Sequence, residues 1–234
     1  MIDRLLGDVT SRQPVPDPSF VLLTGLAALA LVTWAWPWVR LGLTVVHEAG
    51  HALVAVLVGR RLSGVRLHAD TSGVTLSRGR PSGPGMVAML AAGYLAPAAL
   101  GVLAAVLLAD GRSLALLWGL VVLLALLLVW IRNGYGLVVV LVAGVGVGLV
   151  GWYAHPMVQS VAAYLVAWLL LLAAPRPLLE LLSAGRTRRR GSDPDQLARL
   201  TRVPAVLWIL VLLAANLAGL VVGVVRLAPE LLHR

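Results

Sequence analysis

The stretch that decides the fold is the apolar run 41–58, LGLTVVHEAGHALVAVLV, which contains His47-Glu48-Ala49-Gly50-His51. On a helix, residues four apart lie one turn apart on the same face, so His47 and His51 can direct two imidazoles at one point. Glu48 lies between them, close enough to act on a water held at that point. This is the H-E-x-x-H pattern, in which two histidines bind zinc and the glutamate is the general base.

The apolar setting of this motif is the second indication of a functional site. Leucine, valine and alanine surround it on both sides, so the run is typical of a membrane-spanning helix. An ionisable side chain inside a span is costly and points to function. A structural accident would have to place three such groups within five residues. We therefore interpret His47 and His51 as metal ligands and Glu48 as the catalytic base.

Composition places the chain among integral membrane proteins. It has 234 residues, of which 60% are hydrophobic and only 12% charged, and no polar stretch is long enough for a separate soluble domain. We predict one integral membrane domain over 1–234, with a polar N-terminal segment (1–19), a core around the motif (41–136) and a basic cytoplasmic loop (175–202).

The charge pattern indicates the membrane in which the protein lies, and the absence of cysteine limits the residue types that could bind a metal. The net charge of +9 comes from 19 arginines without any lysine. In a membrane protein this marks cytoplasmic loops rather than nucleic-acid binding. With no cysteine, a metal would need His, carboxylate or amide ligands. The arginine-rich, lysine-free bias suggests a bacterial protein of the cytoplasmic (inner) membrane, and residues 1–19 lack the features of a signal peptide.

The distribution of apolar residues predicts an all-α polytopic membrane protein with about six to seven transmembrane helices. The runs 137–154 and 157–174 are short and are separated only by His155-Pro156, so it stays open whether 137–174 is two spans or is partly re-entrant. The predicted spans are 20–38, 41–58, 86–109, 114–131, 137–154, 157–174 and 203–225.

Between the second and third runs the period of the pattern changes from helix to strand. Apolar and polar residues alternate at 65–69 and 74–77, with Asp70-Thr71-Ser72-Gly73 between them as a turn, which predicts a short β-hairpin. If the N-terminus is cytoplasmic and there are seven spans, 15 of the 19 arginines fall on the cytoplasmic side, together with the hairpin. The positive-inside rule therefore favours that orientation.

The zinc-type motif in a span, followed by this hairpin and by the small-residue helix with Ala91-Ala92-Gly93-Tyr94-Leu95-Ala96-Pro97, resembles the site-2 protease family of intramembrane zinc metalloproteases. The resemblance covers 41–136. It implies Zn²⁺ held by His47 and His51, Glu48 as general base, and a membrane-embedded protein substrate. It also implies that the hairpin offers an exposed edge to an extended substrate.

The third metal ligand does not match the family pattern. The family supplies an Asp at the start of a later core helix, where this chain has Arg132-Asn133-Gly134-Tyr135-Gly136. A catalytic zinc needs three protein ligands. Asn133, Asp193 and Asp195 stay open as candidates, whereas Asp110 is expected on the opposite side of the membrane.

Three functions follow from these patterns, in decreasing order of support. The first is an intramembrane zinc endopeptidase acting on transmembrane protein substrates within the lipid bilayer. The second is a catalytically inactive relative that acts as a scaffold or binding protein, which the missing Asp favours and the intact Glu48 opposes. The third is a metal transporter, for which ionisable groups should be spread over several spans. The sequence defines neither the oligomeric state nor the substrate.

Several smaller features have simpler explanations than a site. His68 and Asp70 are expected to be solvated residues of the hairpin, and His155 to have a structural role at an interface. Asp193-Pro194 is typical of a helix start with Asp193 as the N-cap. The arginine cluster 186–190 is explained by orientation, and the glycines of 144–151 by close helix packing.

Overall fold

The computed structural model describes residues 7–185 and 190–229, which form a helical bundle with one two-stranded sheet. The predicted class, an all-α polytopic membrane protein, is confirmed. Of the predicted features, the first six residues of the N-terminal segment and Arg186, Arg188 and Arg189 of the basic cluster lie outside the described residues. The described elements are a helical turn at 7–10, α1 (Pro18–Trp34), α2 (Trp36–Leu57), β1 (Arg61–Leu67), β2 (Gly73–Arg78), α3 (Pro84–Ala109), α4 (Ser113–Leu128), α5 (Gly134–Tyr153), α6 (Pro156–Ala173), α7 (Arg176–Ser183), α8 (Asp193–Thr201) and α9 (Ala205–Leu227).

Five described helical segments are long and apolar enough to cross a bilayer, judged by length and composition: α2, α3, α5, the stretch Pro156–Ser183, and α9. The apolar helices α1 and α4 are shorter. The seven predicted runs therefore correspond to α1, α2, α3, α4, α5, α6 and α9, although the boundary between the first two helices lies at Ala35 and not after residue 38. The stretch 137–174 consists of two full helices, with the side chain of His155 capping the second by accepting from the N–H of Met157.

The bundle has two ends, which α3 connects. At one end, which we call the N-terminal end, the N–H of Gln13 donates to the carbonyl of Gly111 (2.7 Å) and the Ser160 hydroxyl donates to that of Pro14 (2.7 Å). At the other end, which we call the hairpin end, Gly85 at the start of α3 lies against Val58. Val58 directly follows α2 and precedes the hairpin. With 26 residues, α3 separates Gly111 from Gly85 by about 39 Å.

The N-terminal segment and the hairpin consequently lie at opposite ends of the bundle, so the prediction that they share one side is wrong. α1 starts at the N-terminal end and α2 finishes at the hairpin end, with only Ala35 between the two helices. One linking residue bends a chain but is shorter than the connections that join antiparallel helices. The runs 20–38 and 41–58 therefore make one bent passage, and the described part of the chain passes through the bundle six times. Hydropathy counts apolar runs and carries no information on their direction.

The hairpin lies flat against α2. Its strands pair antiparallel, Val65 opposite Thr75 and Leu67 opposite Gly73. On the inner face β1 contributes Leu62, Val65 and Leu67, all buried against α2 and α4. β1 is bonded on its outer edge as well, because the N–H of Val65 donates to the carbonyl of Trp130 (2.8 Å) and Val65 accepts from Arg132 (2.9 Å). β2 pairs with no second strand among the described residues.

Candidate metal centre

The two histidines of α2 converge as the motif predicts. The Nε2 atoms of His47 and His51 lie 3.0 Å apart, and the two rings meet edge to face. Both side chains project from one face of α2 at the level where this helix crosses α3. The local sequence produces this directly, because a four-residue separation on a helix aligns the side chains.

The third group is the carboxylate of Asp193, which reaches the histidines from α8. Its Oδ2 lies 3.2 Å from the Nε2 atom of each histidine. The helix N-cap is Ser192, whose hydroxyl accepts from the N–H of Asp195, so the prediction that Asp193 is the N-cap is wrong. Because the one-residue difference leaves Asp193 in the first turn, its carboxylate points away from the helix and into the site. Burial raises the pKa of this carboxyl, but hydrogen bonds and charge from His47 and His51 outweigh burial and hold it below the usual range.

These three atoms fit a tetrahedral cation. They all lie within 4.8 Å of one another, and each offers a lone pair. Ligands at about 2.0–2.2 Å from a tetrahedral zinc are roughly 3.3 Å apart, close to the separations of 3.0 and 3.2 Å observed here. A His₂Asp set also leaves a fourth position open, as catalytic zinc sites do. The donor set therefore suits Zn²⁺.

Neighbouring groups fix the orientation of the imidazoles. The Nδ1 atom of His51 lies 2.7 Å from the carbonyl of Met89, a pure acceptor, so this nitrogen carries the proton and Nε2 keeps its lone pair for a metal. The ring of Tyr94 packs edge to face on His47, with 4.7 Å between centroids. Both contacts come from α3, which thus supplies the outer shell of the site.

The small residues of α3 allow this close approach. A Cβ atom added at Gly93 would collide with both imidazoles, coming within 2.7 Å of His47 Cε1. Likewise, a Cβ at Gly50 would come within 2.5 Å of Ala96 Cβ. The prediction that the small-residue segment packs near the motif is confirmed, and the physical reason is that the rings occupy the space of the missing side chain.

Glu48 is held between α2 and β2. It is only 3% exposed, and its Oε2 accepts a hydrogen bond from the Thr75 hydroxyl at 2.5 Å. Its other oxygen faces Gly73, where an added Cβ would lie 2.6 Å from Oε1. Alternation along the strand places residues 73 and 75 on the same face. Sequence reasoning missed both residues, and only their position in the predicted hairpin could have indicated them.

A cavity of about 460 Å³ opens beside these groups. Its walls are α2, the length of β2, the first half of α3 and the start of α8. Apolar side chains such as Leu43, Met86 and Leu90 alternate in its lining with the polar groups of the site. A space of this size accommodates a short extended peptide segment.

The remaining ligand candidates are used elsewhere. The Asn133 amide pairs with the backbone of Leu67, accepting from its N–H (3.2 Å) and donating to its carbonyl (2.6 Å). Asp195 accepts from the N–H of Gly191 and pairs with Arg199. Asp110 lies beside Gly111 at the N-terminal end, far from the motif, as expected.

The polar residues of the hairpin tip are exposed, in agreement with a solvated turn. The Ser72 hydroxyl and N–H donate to Asp70, and these bonds hold the pKa of the Asp70 carboxyl below its ordinary value. The Nδ1 atom of His68 lies 3.2 Å from the same hydroxyl. Neither side chain reaches the histidines of α2.

A comparison with protein-family models matches residues 21–223 to the family described as Peptidase M50B-like, part of the site-2 protease family. The match extends over most of the chain and includes both α2 and α8. No curated protein and no solved structure matches.

Proposed function

The chain belongs to the Peptidase M50B-like family, and from that premise we propose that it is an intramembrane zinc endopeptidase. In this proposal His47, His51 and Asp193 hold the metal, and Glu48 is the general base. The substrate is a membrane-embedded protein, and the location is the cytoplasmic membrane of a bacterium. The single observation that carries the proposal is the convergence of three ligand atoms from α2 and α8 beside a buried glutamate.

The chemistry divides between the metal and the chain. Zinc, when bound, supplies Lewis-acid activation of water and of a peptide carbonyl. Glu48 then takes the proton of the attacking water and delivers it to the leaving amine. The Nδ1 bond from His51 to Met89 keeps that imidazole in the tautomer a ligand needs. Glu48 and His51 are buried, and the low local dielectric strengthens the interactions of their polar atoms.

β2 and the cavity suit an extended substrate. A peptide bond within a membrane helix is protected by the hydrogen bonds of that helix, so the segment must unwind before it can be cut. The unpaired edge of β2 runs along the cavity and can supply backbone hydrogen bonds to an unwound segment. Asp193 also removes the main argument for an inactive scaffold, which was the absence of a third ligand.

The test is to look for cleavage in the cells that make the protein. The chromosomal copy is replaced by Glu48→Gln, and the new N-termini of membrane proteins are compared with wild type by mass spectrometry. We expect termini within or next to transmembrane segments that depend on Glu48. If the purified wild-type protein binds zinc but no terminus depends on Glu48, the protein is not a peptidase and the scaffold function replaces this proposal.

A further inference from the structure

We propose that β2 positions the general base, with Thr75 as the positioning residue and Gly73 as the residue that leaves room for the carboxylate. The inference rests on the proposed function for its catalytic consequence, whereas the contact itself can be tested without any cleavage assay.

The contact between Thr75 and Glu48 is short and therefore strong. At 2.5 Å, the bond from the Thr75 hydroxyl to Glu48 Oε2 is in the range of a charge-assisted O–H···O⁻ bond, which is stronger than a neutral one. The same hydroxyl lies 3.2 Å from the Glu48 carbonyl. A glutamate side chain has three rotatable torsions, and this bond removes most of that freedom at its charged end.

Gly73 lies against the opposite side of the Glu48 carboxylate. Glu48 occupies the space that a side chain at position 73 would need. A Cβ atom added to Gly73 would lie 2.7 Å from Glu48 Cγ and 2.9 Å from Glu48 Cδ. Gly73 has no positive φ that would by itself require glycine. Contact with Glu48 is therefore the reason that this position has no side chain.

The strand that makes both contacts, β2, is held in place by further hydrogen bonds. The Thr44 hydroxyl of α2 donates to the carbonyl of Thr71 (2.8 Å), and Arg60 donates to the Ser77 hydroxyl (3.0 Å). The first bond ties the turn before β2 to α2, and the second ties β2 to the residues between α2 and β1, so β2 is held on both sides of the Glu48 contact. β1 is bonded to the α4–α5 connection. A positioned group needs such support to stay within about 0.5 Å of a productive geometry.

This arrangement links substrate and base through one element. The inner face of β2 holds Glu48, and its free edge is the one that the proposed function offers to the substrate backbone. A peptide that adds to β2 is therefore placed in a fixed register to the carboxylate that takes the proton. Loss of the Thr75 hydroxyl should impair the catalytic step more than substrate binding.

The experiment compares Thr75→Val, which removes the hydroxyl at nearly constant volume, with Thr75→Ser, which keeps it. The full-length protein in detergent is measured for zinc content and for cleavage of self-quenched fluorescent casein. For Thr75→Val we expect unchanged zinc, a KM within about twofold of wild type, and a kcat lower by roughly tenfold to a hundredfold. Thr75→Ser should restore most of kcat, and Gly73→Ala should lower it with zinc retained.

A second readout uses thermal unfolding followed by tryptophan fluorescence. Thr75→Val should lower the unfolding midpoint more in the wild-type background than in Glu48→Ala, where the carboxylate is absent and only the backbone carbonyl of residue 48 remains as an acceptor. The matched control is Thr44→Val, whose hydroxyl bonds to a backbone carbonyl and which should lower the midpoint equally in both backgrounds. The comparison thus separates a bond to Glu48 from a general role in holding the hairpin.

Two results would overturn the inference: equal midpoint shifts for Thr75→Val in both backgrounds, or a zinc-loaded Thr75→Val protein that cleaves casein at the wild-type kcat. Failure of the wild-type protein itself to cut casein, which is not a membrane-embedded protein, would count against casein as a substrate and not against this inference. In that event the midpoint comparison would still decide whether Thr75 holds Glu48.

Discussion

Three lone pairs that point at one another repel unless a proton or a cation lies between them, and this defines the chemistry of His47, His51 and Asp193. Two imidazole nitrogens at 3.0 Å and a carboxylate oxygen at 3.2 Å from each are stable only around positive charge. The same geometry predicts that the three ligand candidates Asn133, Asp193 and Asp195 differ in their importance for metal binding, since only Asp193 lies beside both histidines.

We expect Asp193→Ala to weaken zinc binding as severely as His47→Ala, because each removes one of the three proposed ligands. The loss should exceed the roughly 10–100-fold that removal of an outer-shell partner costs. Asn133→Ala should keep its zinc, since its amide is engaged with Leu67. Metal content after dialysis against limiting zinc checks this. Zinc lost from Asn133→Ala would place the amide in the coordination sphere after all.

A single methyl group at Gly93 should disturb the site from the opposite helix. In Gly93→Ala the new Cβ has to displace both imidazoles, and such overpacking costs about 1–3 kcal/mol. The control is Gly146→Ala in α5, where nothing lies within 4 Å of the added Cβ. The midpoint temperature of thermal unfolding and the zinc content should both fall in Gly93→Ala and stay unchanged in Gly146→Ala. A Gly93→Ala protein with wild-type zinc affinity would show that the α2–α3 contact is looser than described.

At the scale of elements, the metal should join α8 to α2. α8 is only nine residues long, and besides Asp193 it is fixed by Leu197, which is buried among residues of α3, α7 and α9. Removing the metal leaves two imidazoles and a carboxylate without their common partner, so the start of α8 should loosen.

Chelation is therefore expected to raise amide hydrogen exchange in α8 while leaving the second half of α3 unchanged. In Asp193→Ala, exchange in α8 should already be high and should not respond to the chelator. Hydrogen–deuterium exchange with mass spectrometry gives both values. A chelator effect of equal size in Asp193→Ala would mean that the metal does not act through this carboxylate.

The helices and strands could be predicted where the spacing of nearby residues is enough to specify the structure. The motif on α2, the strand alternation of 65–77 and the small residues around Gly93 each depend on local spacing, and each is confirmed. The hairpin is longer than expected, 61–78, because Arg61 and Arg78 also pair. Asp193 and Thr75 could not be assigned, since each acts on a residue far away in the sequence: 142 positions separate Asp193 from His51, and 27 separate Thr75 from Glu48.

At the scale of the whole molecule, the apolar runs were recognisable but their connection was not. Hydropathy does not reveal that α1 and α2 follow one another through a bend at Ala35 instead of returning. Only long-range contacts, such as Gln13 with Gly111, give the direction of each helix. That all 234 residues form one integral membrane domain stays a prediction.

The charges agree with this revised arrangement when they are sorted by the two ends of the bundle. The hairpin end has eleven of the described arginines: Arg40, Arg60, Arg61, Arg66, Arg78, Arg80, Arg132, Arg176, Arg190, Arg199 and Arg202. The N-terminal end has three: Arg12, Arg112 and Arg226. The positive-inside rule therefore predicts that the hairpin end faces the cytoplasm and that the N-terminal end lies on the external side.

Labelling single cysteines tests this orientation, and the cysteine-free chain provides a background without reaction. Thr10→Cys and Asp110→Cys lie at the N-terminal end and Ser82→Cys at the hairpin end, all three at exposed positions. In spheroplasts, a membrane-impermeant maleimide should label the first two, and Ser82→Cys should react only after the membrane is opened. Because α3 alone separates Ser82 from Asp110, that pair controls for the sidedness of the assay. If Thr10→Cys behaved like Ser82→Cys, α1 and α2 would be two antiparallel spans, and the seven-span arrangement would be correct.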